Sequence, residues 1–419
     1  MDHVDLLVDN LFRHESGRLV SAIARRLGTK NLALAEDVVQ DALCRALEVW
    51  KFRGIPDNPA AWIMAVAKNR VLDLLRRDRT REALSHLFIQ NGSPEEVAQP
   101  FDIDALFHPS AVQDGQLRMM FSCCHAKLSE EAQVALMLHI LCGFSTAEIA
   151  AAFFSGIAAI EKRVLRGKKI LAEAKQLLDL RETDVAKRLT SVQRALYLVF
   201  SEGYHGANPV FAVRQELCHE AMYLVGLLLE HPLGRCGSTY GLAALMCLNA
   251  ARMPAREDAS GNFVPLKLQD RNRWDRELIL KGHAFLGQSA QGWELSEYQV
   301  EAAIASVHAC AASVEATDWL AIIALYDHLL ELRPSAIVAL NRAIAIGRHA
   351  GAEQGLASLS EIRDREILDS YPFYWAALGE FELQAGQPVM ARVHFAKAEH
   401  LARNSFERQH YARRVAECG

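Results

Sequence analysis

The 419-residue sequence has no run approaching the roughly 18 consecutive apolar residues of a membrane-spanning helix. Its first residues, MDHVDLLVDNLF, carry acidic side chains before the apolar ones, so we expect no secretory signal and a cytoplasmic protein. Excess positive charge is also missing, because 46 Lys and Arg stand against 51 Asp and Glu, for a formal net charge of −5. That balance argues against a protein that coats nucleic acid through bulk attraction. With 51% hydrophobic and 23% charged residues, wholesale disorder is excluded.

Cysteine is present, but without a pattern that suggests disulfides. The nine cysteines are odd in number and irregularly spaced, which is typical of reduced thiols in a cytoplasmic protein. Cys123, Cys124 and His125 are adjacent and have the chemistry of metal ligands. No second Cys/His pair follows at the spacing of a zinc site. We therefore expect these side chains to pack locally, and we expect neither a metal nor a cofactor.

Alternating hydrophobic patterns are short and rare, and helical periodicity replaces them. Apolar residues recur every three or four positions from Ala35 to Trp50, for example. The sequence therefore predicts an all-α protein. Its length is enough for two to four domains of about 100–200 residues each.

Charge is distributed unevenly along the chain. Residues 60–81 carry a net charge of +4, and residues 157–175 also carry +4. Residues 82–114 lack Lys and Arg altogether and carry −6. That segment also contains three prolines and an Asn-Gly-Ser turn, so it reads as a linker between two basic helical segments.

Both basic segments have helix-start signals. Asn58 or Asp57 can cap the first, with Pro59 at the first helical position. Ser145 and Glu148 form a capping-box pattern that opens a short helix, followed by a glycine-containing turn and the basic helix 157–174. This order is typical of a helix-turn-helix whose second helix enters the major groove of DNA. On charge alone, a solvated basic face remains the alternative.

The C-terminal part contains a 34-residue period. The last unit fits the spacing of the tetratricopeptide pattern at Trp375, Leu378, Gly379, Ala391, Phe395 and Ala398. Weaker copies of the pattern lie one and two periods upstream. Small residues at these positions allow paired helices to approach closely. An irregular helical bundle is the alternative.

Three ordered blocks resemble the extracytoplasmic-function (ECF) sigma factors of bacterial RNA polymerase. They are AEDVVQDALCRALEVW followed by FRG, then NPAAWIMAVAKNRVLDLLRR, then SEEAQVALMLHILCGFSTAEIAAAF with the basic helix. Further blocks, among them LVFSEGYHG and DRNRWDRELI, are similar to a subgroup with a long tetratricopeptide-like C-terminal extension. The resemblance implies a promoter-specificity subunit, not an enzyme, that is regulated in cis by its extension.

The resemblance also implies roles for individual residues. The helix 35–50 would dock on the clamp coiled coil of the largest polymerase subunit through Asp37, Gln40, Asp41 and Arg45. Recognition of the −10 promoter element, with a flipped base, would involve Phe52, Lys68, Asn69, Arg70, Arg76 and Arg77. The −35 element would be read by Lys162, Arg163, Arg166, Lys168 and Lys169. Gly167 stands where the family usually has alanine, which costs up to about 1 kcal/mol of helix propensity.

The expected domains follow from these assignments. They are sigma region 2 (1–81), the acidic linker (82–114), sigma region 4 (115–178), a helical middle segment (179–298) and tetratricopeptide-like repeats (299–419). The linker either threads a basic channel of the polymerase or is a plain tether. The promoter sequence and the signal, a protein or a small molecule acting on the C-terminal domain, stay open.

Two other functions compete with this interpretation. The middle segment collects polar residues that an enzyme, a metal site or a ligand site could use: Glu202, Tyr204, His205, His219, Glu220, Asp258, Asp270, Arg273, Trp274 and Asp275. No recognised nucleophile, phosphate loop or metal spacing organises them, so structural hydrogen bonds and ion pairs are expected instead. The second alternative is a tetratricopeptide adaptor or ligand-binding helical protein that carries a DNA-binding N-terminal half.

Overall fold

The computed structural model describes residues 3–78, 108–153, 155–180, 184–205, 214–256, 258, 264–292 and 294–419. Across these ranges the regular structure consists of helices without any strand. The predicted all-α class is therefore confirmed. None of the described helices is both long and apolar enough to cross a membrane. The chain divides into two compact units, Met1–Val199 and Phe200–Gly419.

The first unit contains the two segments predicted to be basic helices. Its described α-helices are α1 (His3–Leu27), α2 (Leu32–Arg53), α3 (Pro59–Asp78), α4 (Pro109–Cys123), α5 (Glu130–Ile140), α6 (Thr146–Ala152), α7 (Ile157–Ala174) and the first part of α8 (Asp184–His205). Most of the predicted acidic linker lies outside the described residues. Helix α4 begins within the predicted linker, since Pro109 occupies the first helical turn, where its missing N–H costs nothing.

The sequence signals for helix starts are present in the structure. The side chain of Asn58 accepts a hydrogen bond of 3.0 Å from the Ala61 N–H at the start of α3. At α6 the capping box between Ser145 and Glu148 is complete. Together with the turn before Ile157, helices α6 and α7 form the predicted helix-turn-helix.

Helix α1 forms the centre of the first unit's core. Its Leu19 and Ile23 are fully buried, as are Met119 and Met120 of α4. The close approach depends on Gly17, because a Cβ there would overlap the carbonyl oxygen of Leu141 at the end of α5. The predicted sigma regions 2 and 4 therefore share one core rather than standing apart.

Ion pairs reinforce this shared core on both sides of α1. The guanidinium of Arg13 lies 2.8 Å from the Glu148 carboxylate in α6. That of Arg25 lies 2.9 Å from the Asp114 carboxylate in α4. The first unit also extends beyond the predicted domain boundary at residue 178, because Arg188 donates to the carbonyl of Phe121.

The second unit is a succession of helices in which neighbours along the chain pack against each other. It contains the end of α8, then α9 (Gln215–Glu230), α10 (Gly237–Ala250), α11 (Arg276–Ser289), α12 (Glu297–Cys310), α13 (Trp319–Leu332), α14 (Ala336–Ala350), α15 (Ala352–Ser360), α16 (Pro372–Gln384), α17 (Pro388–His400) and α18 (Ser405–Glu417). In the last predicted repeat, a Cβ at Gly379 of α16 would stand 3.0 Å from the Phe395 ring of α17. The predicted 34-residue units thus coincide with helix pairs, while their assignment as tetratricopeptide repeats stays a prediction.

Candidate nucleic-acid interface

Helix α2 turns a polar face to solvent, and the predicted polymerase-docking residues lie on it. Asp37, Gln40, Asp41 and Arg45 are all exposed. Two of them have partners: Arg45 donates to Glu48 at 3.2 Å, and the Asp41 carboxylate lies 2.9 Å from the Arg70 guanidinium of α3. The second pair joins a predicted docking residue to a predicted DNA-binding residue.

The end of α2 presents an aromatic side chain to solvent. Phe52 is 84% exposed, although Trp50, two positions earlier, is buried against the rings of Phe12 and Trp62. Helix α2 stops here because Gly54 has φ +78°, in the left-handed region that favours glycine. Leu47, whose spacing matches the buried stripe, is instead 54% exposed on the same helix.

Helix α3 carries the remaining residues predicted for the −10 element. Asn69 is exposed, while Lys68 and Arg70 are half-buried. Trp62 is half-buried and packs edge-on against the buried Trp50, with ring centroids 5.5 Å apart. The side chains of Arg76 and Arg77 lie outside the described residues.

Helix α7 separates cleanly into a buried and an exposed face. Ile160, Val164, Gly167 and Leu171 are buried. Gly167 fits there because a Cβ would stand 2.8 Å from the Leu136 side chain of α5, so the glycine permits close helix packing. The exposed side includes Lys162, Leu165, Arg166 and Lys169 at helical spacing, together with the carboxylates of Glu161 and Glu173.

Leu165 is the residue of this face that the sequence prediction missed. Its side chain is 70% exposed and lies among three cationic side chains, whereas Leu171 of the same helix is buried. Its spacing from Lys162 and Lys169 was the signal that would have revealed it. An apolar side chain on such a face can contact the methyl group of thymine.

The other two predicted −35 residues are less accessible. Arg163 is half-buried, and its guanidinium lies 3.4 Å from the Ser155 hydroxyl in the preceding turn. Lys168 points back into the first unit, where its ammonium group donates to the Glu36 carboxylate of α2 at 2.7 Å. Glu36 was not predicted, because it lies 132 positions from Lys168 in the sequence.

His139 of α5 completes this contact. Its Nδ1–H donates to the carbonyl of Phe144 at 2.9 Å, since a carbonyl can only accept. That tautomer leaves Nε2 as an acceptor for Lys168, 3.0 Å away. Burial, followed by the charge of Lys168, lowers the pKa of His139, so the ring is neutral at physiological pH.

Sequence comparisons with known proteins show the family of this chain. An uncharacterized protein of Rhizobium meliloti (strain 1021) is 36% identical over 404 residues, which is 93% of this chain and 92% of that protein. Residues 12–81 match the Sigma-70 region 2 family, and residues 118–171 match Sigma-70, region 4. This chain is an ECF-like sigma factor with a C-terminal extension. Residues 188–290 of that extension match a family of unknown function (DUF6596).

As a sigma factor, the protein acts in transcription initiation with core RNA polymerase and promoter DNA.

The adjacent cysteines Cys123 and Cys124, considered above as metal ligands, are both buried. Burial raises the pKa of Cys124 to about 12 and also raises that of Cys123, which keeps both thiols protonated. Among the described residues, no group of three His, Cys, Asp or Glu side chains could hold a metal ion.

The polar residues of the sigma factor's middle segment lie in different surroundings. Asp270 and Asp275 cap helical turns by accepting from the N–H groups of Asn272 and Leu278. His219, Asp258 and Arg273 are exposed, Glu220 is half-buried, and the His205 side chain lies outside the described residues. Of the remaining residues, Glu202 is half-buried, and Tyr204 and Trp274 are buried.

Proposed function

We propose that this sigma factor docks on the clamp coiled coil of the largest polymerase subunit through the exposed face of α2. Asp37, Gln40, Asp41 and Arg45 supply carboxylate, amide and guanidinium groups on one solvent-facing surface. A dense polar face of this kind suits a charged helical partner, because complementary charges fix the register of docking. Glu48, paired with Arg45, belongs to the same face.

The end of α2 and the exposed side of α3 are proposed to recognise the −10 element. Capture of a flipped base needs an aromatic wall and amide hydrogen bonds. Phe52 and Asn69, both exposed, have that chemistry. Lys68 and Arg70, with Arg76 and Arg77 further along α3, are proposed to contact phosphates.

Helix α7 is proposed to read the −35 element, and its exposed face is the observation that carries this function. Lys162, Arg166 and Lys169 project from one side of the second helix of a helix-turn-helix. Lysine and arginine on such a helix reach both base edges and phosphates in the major groove. Arg163 lies at the border of this face, and Lys168 joins it only when its contact with Glu36 opens.

The second unit is proposed to regulate the first in cis, in the cytoplasm, where the polymerase works. Its helix pairs fit a tetratricopeptide-like domain, and such stacked helices provide an extended binding surface. A regulatory role explains why about half of the chain lies beyond the two sigma regions.

In vitro transcription with core polymerase tests the proposal directly. Full-length protein should start transcription at defined sites, and the mapped promoters should share one element near −10 and another near −35. The double substitution Arg163→Ala with Arg166→Ala should abolish dependence on the −35 element. Promoter-directed transcription that survives this double substitution at physiological salt would refute the assignment of α7.

A chain that ends after Val199, the end of the first compact unit, tests regulation in cis. A rise or a fall in transcript per bound polymerase supports regulation by the second unit. Equal output from the truncated and full-length proteins would contradict it.

A further inference from the structure

Two arginines from separate segments of the C-terminal extension meet over one tryptophan. The guanidinium of Arg252, just after α10, lies 5.5 Å from the centre of the Trp274 ring. The guanidinium of Arg271, in the short helical turn Arg271–Arg273, lies 4.9 Å from the same ring. His308 of α12 is held nearby, because its backbone carbonyl accepts a hydrogen bond from Arg271. We call Arg252, Arg271, Trp274 and His308 the Arg-Trp-His cluster.

The positive charge of this cluster has no carboxylate partner among the described residues. Arg252 donates to the side-chain amide oxygen of Gln269 at 3.5 Å. Arg271 donates to the carbonyls of His308 and Ala311 and to the hydroxyl of Thr317. Every one of these acceptors is neutral. Two guanidinium groups close together are therefore compensated only by dipoles and by the face of an indole ring.

Burial intensifies this imbalance. It lowers the pKa of Arg252, and the neighbouring charge of Arg256 lowers it further. Burial and the two cluster arginines lower the pKa of His308 to about 4, which keeps its ring neutral near pH 7. Glu315 acts on Arg271 through space, but it is fully exposed, so water screens its charge.

Two polar atoms at the same place are buried without a hydrogen-bond partner in the described part of the chain. They are Nε1 of Trp274, a residue only 3% exposed, and Nδ1 of His308. The indole nitrogen can only donate, and the neutral imidazole nitrogen can donate in one of its tautomers. A buried donor left unsatisfied costs about 1–3 kcal/mol. The cluster therefore offers unsatisfied polar atoms beside positive charge that only neutral acceptors compensate.

We propose that the Arg-Trp-His cluster binds an oxyanion, the phosphate or carboxylate group of a small molecule. The planar guanidinium forks of Arg252 and Arg271 suit two oxygens of such a group. A further oxygen accepts from the indole N–H. Arg271 is half-buried beside the exposed Asn272, so the ligand reaches the site from the side of this turn. This site gives the extension, whose family has no known function, a ligand of defined chemistry.

Thermal unfolding of the full-length protein tests the proposal. Chloride is replaced by inorganic phosphate in one series and by acetate in another, at constant pH and ionic strength. We expect a saturable rise of Tm with at least one of the two anions, and the stronger response identifies phosphate or carboxylate as the preferred group. Calorimetric titration of the same anion should give the same apparent Kd. No saturable shift with either anion would overturn the proposal.

Matched variants assign the response to the cluster. Arg252→Met should abolish the shift, and Trp274→Phe, which keeps the ring but loses its N–H, should weaken binding about tenfold. Arg276→Met, which removes an exposed arginine two positions from Trp274, should respond like the wild type. If Arg252→Met does not fold, Trp274→Phe decides alone. A shift that both cluster variants retain would show binding elsewhere and refute the site.

Discussion

The ammonium group of Lys168 and the carboxylate of Glu36, 2.7 Å apart, join the proposed −35-reading helix α7 to the proposed polymerase-docking helix α2. The −10 and −35 elements are about 25 base pairs apart, or roughly 85 Å along B-DNA. Helices that share one core cannot reach both elements at that distance. We therefore expect this contact, together with the packing of α1 on α4 and α5, to belong to the free protein and to open when the sigma factor joins polymerase and promoter.

Separate and combined substitutions should reveal the strength of this contact. Lys168→Met and Glu36→Gln should each lower the free energy of unfolding by about 0.5–1 kcal/mol, because the pair is partly buried. In urea unfolding, the double variant should lose less than the sum of the two single losses. Lys169→Met, an exposed neighbour on α7, serves as the control and should leave stability unchanged. Strict additivity of the two changes would show that the pair contributes nothing.

Gly17→Ala tests the close packing of α1 on the end of α5. The new Cβ would overlap the carbonyl oxygen of Leu141, so a backbone shift is required. We expect a loss of about 3 kcal/mol or more in urea unfolding. Gly156→Ala is the matched control, since nothing lies within 4 Å of a Cβ at that position. Wild-type stability of Gly17→Ala would mean that α1 does not pack there in solution.

Two substitutions on the exposed face of α7 should have different effects, one on the affinity for DNA and the other on base preference. With the polymerase holoenzyme on a mapped promoter, Arg166→Ala should weaken binding and reduce the salt slope by about 1. Leu165→Ala should leave the salt slope unchanged but alter the preference for thymine in the −35 element. Lys127→Ala, exposed between α4 and α5, is the charge control. A salt slope that is the same for Arg166→Ala and the wild type would exclude a phosphate contact by Arg166.

Phe52 should matter for promoter melting and not for folding. It is 84% exposed, so Phe52→Ala should change the free energy of unfolding by less than about 0.5 kcal/mol. Permanganate reactivity of thymines in the −10 element should fall, because the flipped base loses its aromatic wall. Trp50→Ala, in contrast, should cost about 3–5 kcal/mol of stability. Unchanged permanganate reactivity in Phe52→Ala would remove Phe52 from the −10 pocket.

Glu202 should make the second unit less stable as pH rises. Burial raises its pKa from 4.5 to about 7 in the folded state, although Arg214 and Arg403 oppose that rise. Between these values the folded state holds the proton that the unfolded state has lost, so the free energy of unfolding falls as pH increases. The fall amounts to at most about 3 kcal/mol.

Glu202→Gln should remove this dependence. The variant should match the wild type near pH 4 and exceed its stability at pH 8, as measured by urea unfolding at each pH. Glu294→Gln, at an exposed position, is the control and should follow the wild-type profile. Parallel profiles for Glu202→Gln and the wild type would contradict the raised pKa.

Local features of this fold were predictable from the sequence, because they depend on neighbours in the chain. The cap at Asn58, the capping box at Ser145 and the extent of α7 all follow from short-range hydrogen bonds and helical periodicity. Leu47 shows the limit of periodicity, since its spacing fits the buried stripe of α2 while the described part of the chain leaves it 54% exposed.

Contacts between distant segments were not predictable in this way. The family resemblance assigned Lys168 to DNA, and nothing near it in the sequence indicated its partner Glu36, which lies 132 positions away on another helix. For the same reason Gly167 suggested only a loss of helix propensity, whereas the structure shows that it admits Leu136. Arg252 and Arg271, which meet over Trp274, and His308, which accepts from Arg271, come from three separate segments, so their meeting had no signature in the sequence.

The packing of α1 against α4 and α5 also sets a rule for building chimaeras. A chimaera joined within the linker would combine α1 with helices from another sigma factor. Gly17 and Arg13 would then lose their contacts with Leu141 and Glu148. A transplant that keeps Leu141 and Glu148 opposite α1 preserves the shared core. If α7 reads the −35 element as proposed, its exposed surface is the part to transplant, whereas the helices behind it must keep their partners in α1.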